Sequence, residues 1–266
     1  MIVVKFGGHA MTDSGGFFAK AIQETLNMGQ SCVIVHGGGP QIDAALKRAG
    51  IESVFVGGYR TTSPEALEIV EQVLTGSVSP TLVGQLRSAG INAVGISGRD
   101  GGVLGAKRMT VFESGMEKSL GEVGEVESVD TALLTLLLEG GYVPVVAPIA
   151  TLTADHVEHS TVGLNVNADL AAGAIAGALG AQSLIILTDV PGIYRNWPDE
   201  NSLIATIRVE ELRSIQSHFS EGMAPKVLAC INAIDAGTKS VRIIDGTNAE
   251  SFSLALRGIG GTVVTQ

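Results

Sequence analysis

Short apolar runs closed by glycine or turn residues alternate along this chain with longer stretches in which apolar positions recur every three or four residues. The runs IVVKF (2–6), VIV (33–35), NAVGI (92–96), VPVVA (143–147), SLIILT (183–188) and VRIID (241–245) predict strands. Strands alternating with helical segments imply a mostly parallel sheet with helices packed on it, an α/β fold.

The intervening pattern names its own boundaries. After His36-Gly37-Gly38-Gly39, Pro40 stands at a natural first helical position, and Ile42, Ala45, Leu46 and Ala49 repeat at helical spacing until Gly50. Ser63-Pro64-Glu65 opens a second helix by its capping serine, and Asp169 begins a third, rich in small residues, that can pack tightly under a sheet. Between Arg99 and Val129 the helical period gives way to short alternating runs broken by Gly101, Gly102, Gly105, Gly115 and Gly121, which predicts antiparallel hairpins grafted onto the parallel core. The stretch Gly180–Gln182, between a helix and a strand, is the expected hinge between two lobes.

Composition narrows the partners. The chain has 266 residues, 45% apolar and 17% charged, enough for one large domain or two lobes with ample core. A net charge of −10 argues against nucleic acid as a partner, so any anion site must be local. Cys32 and Cys230 lie in apolar surroundings without metal-ligand spacing and read as buried thiols in a reducing compartment. His156 and His159 have no third partner at ligand spacing, and no metal is expected there. Without the marks of a secretion signal or the length of a membrane span, the expected location is the cytoplasm.

Three glycines at the end of a strand admit three readings. A tight turn usually needs only one. An oxyanion hole of an α/β hydrolase also uses an HGGG loop, but it requires a G-x-S-x-G elbow, and Gly95-Ile96-Ser97-Gly98 has the wrong spacing. The third reading is an anion cradle, in which bare N–H groups and a helix N-terminus face phosphate oxygens. Neither a Walker loop nor a G-x-G-x-x-G fingerprint accompanies it, so cations must come from elsewhere. Lys5 ends the first strand before a second glycine turn, Gly7-Gly8, and the two turns are expected side by side. An unpaired lysine in an apolar strand would cost several kcal/mol, which calls for a buried anion. Asn165, Asn167 and Asp169 crowd one helix start where a single cap would serve, and Lys226 stands directly before an apolar helix.

Taken in order, Lys5-Phe6-Gly7-Gly8, His36–Gly39, Gly58-Tyr59-Arg60, Asn165–Asp169, Leu187–Gly192 and Gly222–Lys226 resemble the amino acid kinase family, over essentially the whole chain. Among its members the chain looks like those that phosphorylate N-acetyl-L-glutamate in arginine biosynthesis. The resemblance implies a three-layer αβα sandwich with a mainly parallel central sheet. Residues 1–180 would form the lobe for the acyl amino acid and for dimerisation into a homodimer, and residues 181–266 the lobe for ATP, with Mg²⁺ held mainly by the nucleotide phosphates. It also implies residue roles. Lys5 and Lys226 would stabilise the migrating phosphoryl group, Asp169 would hold both lysines, and Gly8, Gly38 and Gly39 would offer N–H donors to that group and to the substrate. Arg60 would clamp the α-carboxylate and Asn165 the amide side. Thr188, Asp189, Gly192 and Tyr194 would contact the nucleotide, with Gly222 and Met223 completing the adenine wall. A carboxylate acceptor is already ionised at neutral pH and needs no general base, so paired lysines, Mg²⁺ and backbone donors suffice.

Some positions depart from the family pattern. Tyr59 replaces a usual leucine and Thr247 an expected arginine. Arginine-inhibited members carry an extra N-terminal helix for which Lys5 comes too early, so insensitivity to arginine is expected, although Gly258–Thr262 resembles part of the inhibitor-responsive pattern. The rival readings are a kinase of the same fold acting on a carrier-linked aminoadipate or another acylamino acid, and an HGGG-type hydrolase.

Overall fold

All six apolar runs become strands of a single sheet in the computed structural model, which describes residues 1–7, 16–113, 116–153, 160–219, 222–248 and 250–266. In chain order the strands are β1 (Ile2–Phe6), β2 (Cys32–His36), β3 (Phe55–Val56), β4 (Tyr59–Arg60), β5 (Ala93–Ser97), β6 (Leu104–Glu113), β7 (Met116–Val129), β8 (Val143–Ala147), β9 (Ile149–Leu152), β10 (Gly163–Val166), β11 (Ser183–Thr188), β12 (Thr206–Arg208), β13 (Ser240–Asp245) and β14 (Thr262–Thr265). The α-helices are α1 (Phe17–Asn27), α2 (Gly39–Arg48), α3 (Pro64–Val73), α4 (Ser79–Ser88), α5 (Ala132–Glu139), α6 (Ala168–Ala178), α7 (Val209–Ile215), α8 (Ala224–Asp235) and α9 (Ser251–Leu256).

Across the main sheet the order is β12-β14-β13-β11-β1-β2-β8-β5. Every neighbouring pair is parallel except β13 and β14. Successive residues of a strand face opposite sides, and the two cores follow from that alternation. Val3, Val33 and Val35 pack against α5, α6, α7 and α8, whereas Val4 and Ile34 pack against α1, α4 and α9. Helix, sheet and helix therefore form three layers.

The broken pattern of 99–129 is the antiparallel β6–β7 hairpin. Its closure into a small barrel with β9 and β10 was not legible in the spacing. Gly124 permits that closure, since a Cβ there would lie 2.9 Å from the Leu164 Cβ. Between α3 and α4, Leu74–Val78 forms one turn of π-helix, also unforeseen. Ser63 caps α3 as expected, accepting the Ala66 N–H at 3.1 Å, and α2 begins one residue before Pro40. Among the described residues, no helix is long and apolar enough to cross a membrane.

Candidate functional site

Lys5 and Lys226 both reach Asp169. The Lys5 Nζ lies 3.1 Å from Oδ1 and the Lys226 Nζ 3.0 Å from Oδ2, so one carboxylate holds two ammonium groups that are 221 residues apart in the chain (226 − 5). All three are largely removed from water, with side-chain exposures of 9%, 17% and 5% for Lys5, Lys226 and Asp169. Burial by itself would raise the Asp169 carboxyl, but the charges and hydrogen bonds of the two lysines outweigh it and hold the group below its ordinary value.

Helix packing puts these groups together. Asp169 lies in the first turn of α6, where Asn167 caps the helix by accepting the Asp169 and Leu170 N–H groups. Lys226 lies in the first turn of α8, not before it as its sequence context implied. The small residues of α6 let α8 approach closely: a Cβ on Gly173 would stand 2.9 Å from the Ala229 carbonyl oxygen, and one on Gly177 only 2.3 Å from the Ala236 Cβ. Larger side chains at either position would push α6 and α8 apart.

Gly7 lies beside Gly37, because β1 and β2 are adjacent and the Gly37 N–H donates to the Phe6 carbonyl at 2.8 Å. The next two glycines serve different ends. Gly38 is bare because the π-turn presses on it; a Cβ there would meet Leu74 Cδ2 at 2.7 Å and Val78 Cγ2 at 3.3 Å. Among the described residues, none outside its own helix backbone and chain neighbours places an atom within 4 Å of the Gly39 Cβ direction. Packing requires only the first. Burial lowers the His36 imidazole, whose Nδ1 lies 2.8 Å from the Gly37 carbonyl, so this ring is a neutral brace at the strand end. Gly8 and the neighbouring His9, like His156 and His159, lie outside the described residues.

A cavity of about 170 Å³ opens beside Gly37, Gly38 and Gly39, with Arg60 and Asn165 in its wall. Gly57 and Gly58, with φ of 58° and 82°, make the two-residue turn that joins β3 to β4 and delivers Arg60. The guanidinium is clamped by Asp43 on α2 at 2.5 Å, by the Ser53 hydroxyl, and by the Phe55 ring 4.6 Å beneath it. The Arg60 hydrogen bond, set against burial, holds the Asp43 carboxyl low. None of these three partners carries a sequence signature, since their link to Arg60 exists only after folding. Asn165 donates its Nδ2–H to the Thr62 hydroxyl at 3.2 Å. Gly121 is needed beside that threonine, since its φ is 74° and a Cβ there would stand 2.3 Å from the Thr62 carbonyl oxygen.

A larger cavity of about 800 Å³ lies at the carboxyl end of β11, where open α/β sheets bind their ligands. Thr188, Asp189, Tyr194, Gly222, Met223 and Lys226 line it. Gly192 does not. It is buried against β14, where a Cβ would stand 2.5 Å from the Thr262 hydroxyl, so its bareness serves packing. Sequence reasoning passed over Trp197 and Phe219, which also form the wall. Lys226 lines this cavity while its partner Asp169 adjoins Ala168 of the smaller one, so the charged cluster lies between the two. Such an arrangement can neutralise an anionic group passing from one cavity to the other. Both cysteines are buried free thiols whose pKa burial pushes up, that of Cys32 to about 12, which removes them as nucleophiles.

A family model described as the amino acid kinase family matches residues 1–245. The acetylglutamate kinase of Paenarthrobacter aurescens (strain TC1) is 47% identical over 272 residues, which cover 99% of this chain and 86% of that protein. Among solved structures, smu.665 from Streptococcus mutans UA159 is similar with a TM-score of 0.80 at 26% identity, over 99% of this chain and 98% of that one. The N-acetylglutamate synthase from Neisseria gonorrhoeae, solved with coenzyme A and N-acetyl-glutamate, shares the fold with a TM-score of 0.81 at 23% identity, over all of this chain and 59% of that one.

Proposed function

The chain belongs to the amino acid kinase family, and from that premise we propose that it transfers the terminal phosphoryl group of ATP to the side-chain carboxylate of N-acetyl-L-glutamate. The observation that carries this reading is the pair of lysines bridged by Asp169 between a small cavity and a large one. The cavity linings support a division of labour at residue 180: the smaller is built from residues 37–168 and the larger from residues 188–226. On this reading residues 1–180 hold the acyl amino acid and residues 181–266 the nucleotide.

ATP bound with Mg²⁺ would supply the phosphoryl group and neutralise part of its charge. The residues present fit such a group, because Lys226 brings an ammonium to the larger cavity and Gly39 leaves its Cβ direction open beside the smaller one. The acceptor carboxylate is ionised near neutral pH, so the chain has only to position two anions and offset their repulsion. Lys5 and Lys226 do the second task; each ammonium has three donors, and Asp169 orients both. Gly38 and Gly39 add backbone N–H groups at the start of α2, whose dipole favours an anion. Arg60, already fixed by Asp43 and Ser53, presents a planar fork to the α-carboxylate. Asn165, whose amide nitrogen is committed to Thr62, offers its carbonyl to the substrate's amide N–H.

Assays of ADP release with Mg-ATP should show N-acetyl-L-glutamate exceeding N-acetylaspartate and aminoadipate in kcat/KM by at least roughly tenfold, or ~1.4 kcal/mol of transition-state binding. Equal rates, or a preference for aminoadipate, would favour the related kinase reading. Arg60→Ala should raise the KM for N-acetyl-L-glutamate by about 10–100-fold, the loss of a charged bidentate contact, with the KM for ATP moving less than about twofold. A variant that changes both alike would take Arg60 out of the acyl amino acid site.

A further inference from the structure

Trp197 is 67% exposed and lies in the wall of the larger cavity. A large exposed aromatic is ordinary on a loose surface loop, but this loop is held on several sides. Tyr194 bridges to Leu203, the Arg195 N–H donates to the Ser202 carbonyl at 2.9 Å, and the Asn196 N–H donates to the Ser202 hydroxyl at 3.1 Å. Arg195 also pairs with Glu211 on α7 at 2.5 Å. The indole itself meets the Tyr194 ring edge-on, with centroids 5.1 Å apart and planes at 67°. That contact fixes the ring's orientation while leaving most of its surface uncovered. The cavity lining thus carries two chemistries: the cationic side chains of Lys226 and Arg195, and the rings of Tyr194, Trp197 and Phe219. A ligand with a polyanionic portion and a flat aromatic portion satisfies both.

We propose that Trp197 is a base-stacking residue of the nucleotide site, with the purine of ATP lying against an indole that Tyr194 braces from its edge. The proposal rests on the ATP reading above and adds a residue to it. Stacking gains from the flatness of the base and requires no hydrogen bond to its edges.

Trp197 is the single tryptophan of the chain, so its emission reports on this position alone. The experiment titrates the protein with ADP and, separately, with tripolyphosphate, following tryptophan emission and heat of binding in parallel. ADP should quench the emission with the same midpoint as its heat, and tripolyphosphate should leave the emission unchanged. Trp197→Ala should raise the KM for ATP by roughly 5–100-fold, the range found when a base loses an aromatic partner, with kcat within about twofold; Trp197→Phe should stay within about threefold of the parent. ADP heat without any change in emission, together with a parental KM in Trp197→Ala, overturns the stacking role while leaving the nucleotide site intact. No heat with ADP overturns the nucleotide reading and the stacking role together.

Discussion

Replacing Lys226 by alanine is expected to lower kcat by about 10²–10³-fold, ~3–4 kcal/mol, with both KM values within about threefold of the parent. The reason lies in where its charge acts. On the proposed reading, ground-state binding would rely on Arg60 and the cavity walls, whereas charge on the transferring group would be met by the two ammonium groups that contact Asp169. Removing Lys226 leaves Asp169 paired with Lys5, so the buried carboxylate keeps a counter-ion and the fold should persist, which circular dichroism can check. Steady-state kinetics with both substrates varied decides the matter. Parental turnover in the alanine variant would remove Lys226 from the mechanism.

Asp169→Asn should be costly in a second way. Two ammonium groups would then face each other without a carboxylate, and breaking a buried ion pair by deleting one partner costs about 3–5 kcal/mol. For a chain of this size that corresponds to a fall in Tm of roughly 6–20 °C, accompanied by a loss of turnover. The pH dependence has a defined sign. Asp169 has its pKa depressed in the folded state, so its contribution is fully present above the unfolded value near 3.8 and disappears as pH falls through the lower folded value. The Tm difference between parent and Asp169→Asn should therefore be constant between about pH 5 and 8 and shrink below about pH 4. A difference that stays the same down to pH 3, or is missing at pH 7, would show that the carboxylate does not bind the lysines as a charge.

Much of the scaffold was legible because it is written in local pattern. The strand runs, the Ser63 cap and the antiparallel hairpin of 104–129 depend on residues a few positions apart, and each formed where the periodicity placed it. The glycines show the limit of such reading. Gly38 and Gly39 look alike in the chain, yet Leu74 and Val78 from the π-turn make the first a packing glycine and leave the second open. Gly192 sits in a motif that resembles a nucleotide loop, yet Thr262 occupies the space beside it. Asp43, Ser53 and Phe55 carried no motif because a clamp on Arg60 can be assembled from many residue types once the geometry exists.

From its residues alone this chain determined the alternation that makes a parallel α/β sheet, the turns at the strand ends, and the ordered motifs that place it in its family. The meeting of Lys5, Asp169 and Lys226 was decided only by tertiary structure. It depends on β1 lying between β2 and β11, and on bare glycines in α6 that let α8 settle within contact, so that two helix starts and a strand end converge. Backbone periodicity is a property of neighbours in sequence, whereas a charge cluster is a property of neighbours in space, and close packing of the intervening elements is what converts the one into the other.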